Sequence, residues 1–254
     1  MKFLLCYQAV LVISCVSMSG CKSEQTTLQH LLAVQRKIEH KPTNVAAINE
    51  LLSMAKSRHV VVRVNALGMC GKVYPAVDEN TRKQIVAIFI EASSHPEHAV
   101  RRAMAETCAF SDAELGGRLL KELQNALKED NSDVSWFAAR SLGKVGPKAS
   151  STISALLGAL KAPPAGTQDT APQLRIFAVD AIRRIVLTPT VEVKAALENA
   201  AQDSNDYFAI EAVKTLLGLM PDNSVGVMRL RNLENSKSGM VRSEAEEFRN
   251  LLEK

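Results

Sequence analysis

The sequence predicts an all-α solenoid of about six helical hairpins, and three observations predict it. The first is a recurring segment: "VRVNALGMCGKV" from Val62, "VRRAMAETCAFS" from Val100, "VSWFAARSLGKV" from Val134, "LRIFAVDAIRRI" from Leu174, "FAIEAVKTLLGL" from Phe208 and "VRSEAEEFRNLL" from Val241. Their fifth residues, Ala66, Met104, Ala138, Ala178, Ala212 and Ala245, follow one another at intervals of 38, 34, 40, 34 and 33. The second is punctuation. Pro75, Pro147 and Pro221 each stand nine residues after such an alanine, where a proline ends a helix because it lacks the N–H and clashes with the preceding turn. The third is a second amphipathic stretch in every interval, with no convincing run of strict apolar alternation that would suggest a strand.

Taken in chain order, the first element is a targeting segment. "MKFLLCYQAVLVISCVSMSG" has a charged start at Lys2, an apolar run to about Met18 and small residues at Ser19 and Gly20. That run is shorter than the roughly 20 residues a spanning helix needs, so residues 1–20 are expected to be an export signal. Ser19-Gly20-Cys21 resembles the lipobox of bacterial lipoproteins, although Met18 departs from its usual leucine. The resemblance implies that Cys21 is lipidated and that the protein is exported and membrane-anchored, facing the periplasm or the cell surface. Residues 21–42 then form the lipidated N-terminus and a cap helix from about Glu24 to Glu39.

The solenoid is expected over 43–254. Its first helices are "NVAAINELLSMAKS" from Asn44, "NTRKQIVAIFIEAS" from Asn80, "DAELGGRLLKELQNALK" from Asp112, "SSTISALLGALK" from Ser150, "TVEVKAALENAA" from Thr190 and "DNSVGVMRLRNLEN" from Asp222. Each opens on a side chain able to accept a hydrogen bond from a free N–H of the first turn. "KAPPAGTQDTAPQ", 161–173, is a loop by its proline, glycine and threonine content. The charged last segment suits a terminal helix with one side open to water.

The V-R-x-x-A-x-x-x-L-G-x-x-G run, clearest in residues 62–73, 134–146 and 174–185, resembles HEAT repeats of the short, phycobilisome-lyase-like kind. The resemblance covers about residues 43–254 and implies a right-handed α-α superhelix of the HEAT/armadillo type. Ser135 and Ala209 replace the arginine that Arg63, Arg101, Arg175 and Arg242 supply, so an arginine ladder between repeats is expected to break in the third and fifth units.

Numbered from the first residue of each segment, positions 1, 5, 8, 9 and 12 share one helix face, and position 3 lies roughly 180° from its centre. Position 3 holds Val64, Arg102, Trp136, Ile176, Ile210 and Ser243. Val64, Trp136, Ile176 and Ile210 are therefore expected to form an apolar, protein-binding stripe, since contiguous exposed apolar surface marks interaction sites and tryptophan is enriched at binding hot spots. Phe137 and Phe177, at position 4, are expected nearer the core.

Chemistry is sparse. Removing residues 1–20 takes away Lys2 and no acid, leaving 30 basic and 27 acidic residues, a net +3 that offers no nucleic-acid-binding argument. "HPEH", 95–98, reads as a solvated turn rather than a metal site. Among HEAT proteins, hydroxylases use paired His-Glu dipeptides for iron and lyases attach bilins; this chain contains no His-Glu dipeptide. Neither a Gly-rich phosphate loop nor a G-x-S-x-G elbow occurs. Of five cysteines, Cys70 and Cys108 remain after Cys6, Cys15 and Cys21 are assigned to the leader and the lipid. Both occupy position 9 of adjacent units, where stacked helices stand about 8–10 Å apart, beyond the reach of a disulfide, so free thiols are expected. The expectation is a monomeric, non-enzymatic scaffold without metal or cofactor that binds another protein at the bacterial envelope, with a lyase-like or metal-dependent enzyme as the alternative.

Overall fold

Side-chain caps and proline stops set several of the helix boundaries. The computed structural model describes residues 22–161 and 172–253; the leader, Cys21 and most of the 161–173 loop lie outside them. Among the described residues there is no strand. The chain divides into two compact units, Met1–Ala92 and Ser93–Lys254.

In the first unit, α1 (Lys22–His40) is the expected cap helix, slightly longer than its sequence suggested. Leu28, Leu31, Val34 and Ile38 recur at helical spacing and are buried where α1 packs on α2 (Val45–Met54) and α3 (Val60–Val73). Asn44 caps α2 by accepting the Ala47 N–H at 3.2 Å. On the surface between α1 and α2, a hydrogen bond from Lys37, aided by His30, holds the Glu50 carboxyl below the usual carboxylate range. Pro75 lies in a 3-10 turn, Tyr74–Ala76, that ends α3. Helix α4 (Glu79–Ser93) begins one residue before the expected Asn80, with Asp78 accepting the Thr81 N–H at 2.9 Å. That bond is the leading cause of an Asp78 carboxyl held below its ordinary range.

The second unit opens with α5 (His98–Phe110). The stretch expected as one helix from Asp112 is two, α6 (Ala113–Gly117) and α7 (Leu120–Ala126), broken at Leu119. Gly116 and Gly117 explain the break: a Cβ on Gly116 would lie 2.9 Å from Val145 Cγ2, so the glycine pair lets the end of α8 (Ser132–Val145) press against this hairpin. A 3-10 segment, Gly146–Thr152, carries Pro147 into α9 (Ile153–Ala159). Helices α10 (Pro172–Ile185), α11 (Val191–Ala201), α12 (Asp206–Leu219), α13 (Ser224–Leu233) and α14 (Gly239–Leu252) complete the unit. Asn131, Thr190, Asn205, Asn223 and Ser238 each cap the helix that follows, as their side chains accept first-turn N–H groups.

Within the second unit, α8 packs on its hairpin partners α6 and α7 and on α5 and α10 of the adjacent repeats. Helix α8 comes close to α10. Gly143 makes it possible, because a Cβ there would lie 2.9 Å from the Ala181 Cα. Leu142, Ala138, Ile182 and Ala178 fill the space between, all fully buried, and each large aliphatic of this kind contributes about 1.5–3 kcal/mol by leaving water.

The position-2 arginines fasten the repeats in one pattern. Arg63 donates to the Lys56 carbonyl and to Glu91, and Arg101 donates to the His95 and Pro96 carbonyls and to both oxygens of Glu129. Arg175 donates to Asp203, and Arg242 to the Ser236 carbonyl. In the third unit Ser135 instead donates locally to the Ser132 carbonyl. In the fifth, where Ala209 offers nothing, Arg229 of α13 donates to the Ala201 and Asp203 carbonyls and to Asp206. Among the described residues the ladder is therefore interrupted at Ser135 and replaced at Ala209.

Candidate functional site

Trp136 is neither buried nor free-standing. It is half-buried on α8, with its ring stacked on Phe137 at 3.7 Å between centroids and on Phe177 of α10 at 5.0 Å. Its Nε1 donates to Asp133 at 3.3 Å. Phe137 is buried, as expected, and meets Phe110 of α5 edge-on at 6.1 Å. Phe110 is 56% exposed. Four rings thus run across three consecutive second helices.

Two guanidinium groups lie on these rings. Arg140 stands 4.5 Å from the Phe110 centroid and 5.7 Å from that of Phe177, and Arg102 stands 5.9 Å from Phe137. Helical spacing puts the whole set on one surface: Arg102, Glu106 and Phe110 follow at intervals of four on α5, and Asp133, Phe137, Arg140 and Lys144 at intervals of three and four on α8.

The cations of this surface differ in how they are satisfied. Arg102 has carboxylates at 3.4 Å (Glu106) and 3.6 Å (Asp133), and Arg183 and Arg184 both reach Asp180. On α12, burial alone would lower the Lys214 pKa, but Glu211 and Glu244 outweigh it and hold the ammonium above its ordinary value. Arg140 is exposed and, among the described residues, has rings for neighbours and no carboxylate. Lys144 donates to the Ser111 carbonyl at the end of α5.

The expected stripe is only partly present. Val64, Trp136 and Ile176 are half-buried, and Val64 belongs to the first unit. Ile210 is 2% exposed, which corrects the expectation that it faces water. The reason is the width of the buried arc. Arg183 and the terminal helix α14 apart, position 6 (Leu67, Ala105, Ala139, Val179, Val213) and position 10 (Gly71, Ala109, Gly143, Leu217) are buried as well, because a helix such as α8 or α12 is flanked on both sides. Position 3 therefore falls at the border of the arc. Position 11 is the one that is exposed in all six helices, as Lys72, Phe110, Lys144, Arg184, Gly218 and Leu251. Sequence reasoning missed Phe110 and Arg140 for this reason, although their fourfold spacing with Glu106 and Trp136 was available to find them.

Elsewhere the site chemistry is slight. Cys70 and Cys108 are free and fully buried, and burial pushes each thiol up to about 12. In the 95–98 turn, His95 Nδ1 accepts the Glu97 N–H at 3.1 Å. Among the described residues no group of three or more His, Cys, Asp or Glu is placed to hold a metal ion. A shallow cleft of about 470 Å³ beside α13 holds Asp222, Ser224 and Arg231 without a histidine, a cysteine or a second carboxylate.

Residues 85–167 match the HEAT repeats family. No curated protein matches the chain. Among solved structures, the archaeal HEAT-like repeats protein from Thermococcus onnurineus NA1 is similar with a TM-score of 0.56 at 12% identity, covering 92% of this chain and 98% of that one. A designed armadillo repeat protein gives 0.53 at 14% identity over 80% of this chain and 98% of that one. Computationally designed armadillo repeat proteins for modular peptide recognition give 0.53 at 14% identity over 79% and 98%. These likenesses, with the helical hairpins above, make the fold that of a HEAT/armadillo-type repeat solenoid.

Proposed function

We propose that the protein is a non-enzymatic scaffold that binds another protein through the surface shared by α5, α8 and α10, exported and held at the bacterial envelope by lipid on Cys21. The observation that carries the binding reading is the ring series Phe110, Phe137, Trp136 and Phe177 with Arg140 laid across it. Aromatic and arginine side chains are enriched at protein interfaces, where they bury large rigid area at low conformational cost. Repeat scaffolds present such surfaces without moving parts, and peptide recognition is what one similar set of designed armadillo proteins was made for. The anchoring reading rests on the Ser19-Gly20-Cys21 sequence behind a short apolar run. A lipid tether would confine the scaffold to the membrane plane and raise its effective concentration toward neighbours there.

The experiment is photo-crosslinking in intact cells from position 136, with position 121 on exposed Lys121 of α7 as the control. A discrete partner, identified by mass spectrometry and captured from 136 alone, is the expected result; crosslinks confined to the chain itself would overturn the docking reading. Metabolic labelling with an alkyne-tagged fatty acid, lost in Cys21→Ser, tests the anchor separately.

A further inference from the structure

The proposed docking surface carries an asymmetry of charge that bears on what it binds. Most of its cations are matched within the chain: Arg102 by Glu106 and Asp133, and Arg183 and Arg184 by Asp180. Arg140 is not. Its guanidinium lies exposed between the Phe110 and Phe177 rings, within 5.7 Å of both centroids, and one helical turn further along α8 stands Lys144. A guanidinium stacked on rings keeps its in-plane N–H donors free to point outward, and those donors fit a carboxylate two at a time. The rings beneath offer apolar area to a side chain next to that carboxylate.

Resting on the docking reading above, we infer that the occupant of the α5–α8–α10 surface is an acidic segment of a partner protein, with one Asp or Glu carboxylate seated on Arg140 beside Lys144 and a neighbouring apolar side chain against Trp136 and Phe110. Charge complementarity selects this occupant over a basic one, which would set like charge against Arg140 and Lys144 with no carboxylate beside Arg140 to relieve it. An amino-acid side chain also suits the half-exposed rings better than a lipid phosphate, which would leave them uncovered.

The test is a selection of random twelve-residue peptides, displayed on messenger RNA, against the full-length protein in detergent micelles. Arg140→Glu and Trp136→Ala proteins run in parallel, and circular dichroism melts check that each variant is folded. Acidic sequences with an adjacent apolar residue are expected on the wild type and absent on Arg140→Glu. A synthetic peptide of the selected sequence is expected to quench the chain's single tryptophan. Its amide counterpart (Asp→Asn, Glu→Gln) is expected to bind at least tenfold more weakly, and Lys144→Glu to weaken the acidic form severalfold. Neutral or basic peptides that depend on Trp136 but not on Arg140 would overturn the acidic occupant while leaving the docking reading in place. Peptides indifferent to both substitutions would overturn both. Phosphatidylglycerol vesicles bound in place of any acidic peptide, and released by Arg140→Glu, would assign the surface to lipid and overturn the inference.

Discussion

Arg175 donates to Asp203 twenty-eight residues further along the chain, and the same separation joins Arg63 to Glu91 and Arg101 to Glu129. The register is a product of the repeat: an arginine at the start of one second helix reaches the turn that closes the next first helix. The three pairs differ in burial. Side chains of Arg175 and Asp203 are 6% and 10% exposed, and Arg175 also lies 3.8 Å from the Phe208 ring centroid, whereas Glu91 is 56% exposed. Asp203→Ala leaves a guanidinium buried without that carboxylate, and is expected to destabilise the 93–254 unit by about 3–5 kcal/mol. Glu91→Ala removes an exposed partner and is expected to cost about 0–1 kcal/mol. Urea denaturation of both variants checks the contrast; equal effects would mean that Arg175 is solvated.

Gly143 and Gly158 are expected to respond to alanine with opposite signs. At Gly143 the added methyl meets the Ala181 backbone at 2.9 Å, which cannot swing aside as a flexible side chain could. Separating α8 from α10 to admit it is expected to cost about 1–3 kcal/mol. Around Gly158, inside α9, nothing lies within 4 Å, so alanine there gains helix propensity and is expected to stabilise by about 0.5–1 kcal/mol. Thermal melts of the two variants decide it.

What the sequence made legible was local or periodic. Caps such as Asn44 and Thr190 and stops such as Pro75 and Pro147 act within a turn of their own position, so they can be read without knowing a neighbour. The spacing of Ala66 through Ala245 likewise reports the repeat directly. Less legible was anything set by flanking helices. Ile210 was expected in water because one apolar face was counted; small residues at positions 6 and 10, such as Ala139 and Gly143, do not raise a hydrophobic pattern, yet they are where the neighbouring helices press closest. The break at Leu119 was hidden in the same way, since Gly116 and Gly117 owe their role to Val145, on another helix. The ring series was half-legible: Trp136 could be singled out, but its contact with Phe177 crosses a repeat.

Trp136 supplies a probe of its own surroundings, being the chain's single tryptophan. Its ring lies on Phe137 and Phe177 and its Nε1 donates to Asp133, so acrylamide is expected to quench its emission only partly and unfolding to make that quenching complete. Trp136→Phe keeps a stacked ring and is expected to change stability by less than about 1 kcal/mol, while Trp136→Ala loses both stacks and is expected to cost about 2 kcal/mol. A neutral Trp136→Ala would mean that the indole stands away from both phenylalanines.

The two buried thiols make stability depend on alkaline pH. In the unfolded chain a cysteine ionises near its ordinary value of 9.0, whereas burial disfavours the thiolate of Cys70 and Cys108 and pushes both up to about 12 in the fold. Between these values the unfolded chain holds fewer protons than the folded one, so raising the pH draws the equilibrium toward unfolding. Each thiol is expected to remove about 1.4 kcal/mol per pH unit from the unit that contains it once the pH passes about 9, with no contribution below. Urea midpoints measured from pH 8 to 11 for the wild type, Cys70→Ala and Cys108→Ala isolate this slope from lysine and tyrosine titration, since each variant should lose one thiol's share. At pH 7.5 the folded protein is expected to leave both thiols unmodified by iodoacetamide until denaturant is added. Rapid alkylation of either cysteine in the native protein, or alkaline slopes identical in the variants, would show that the position-9 slots are open to water.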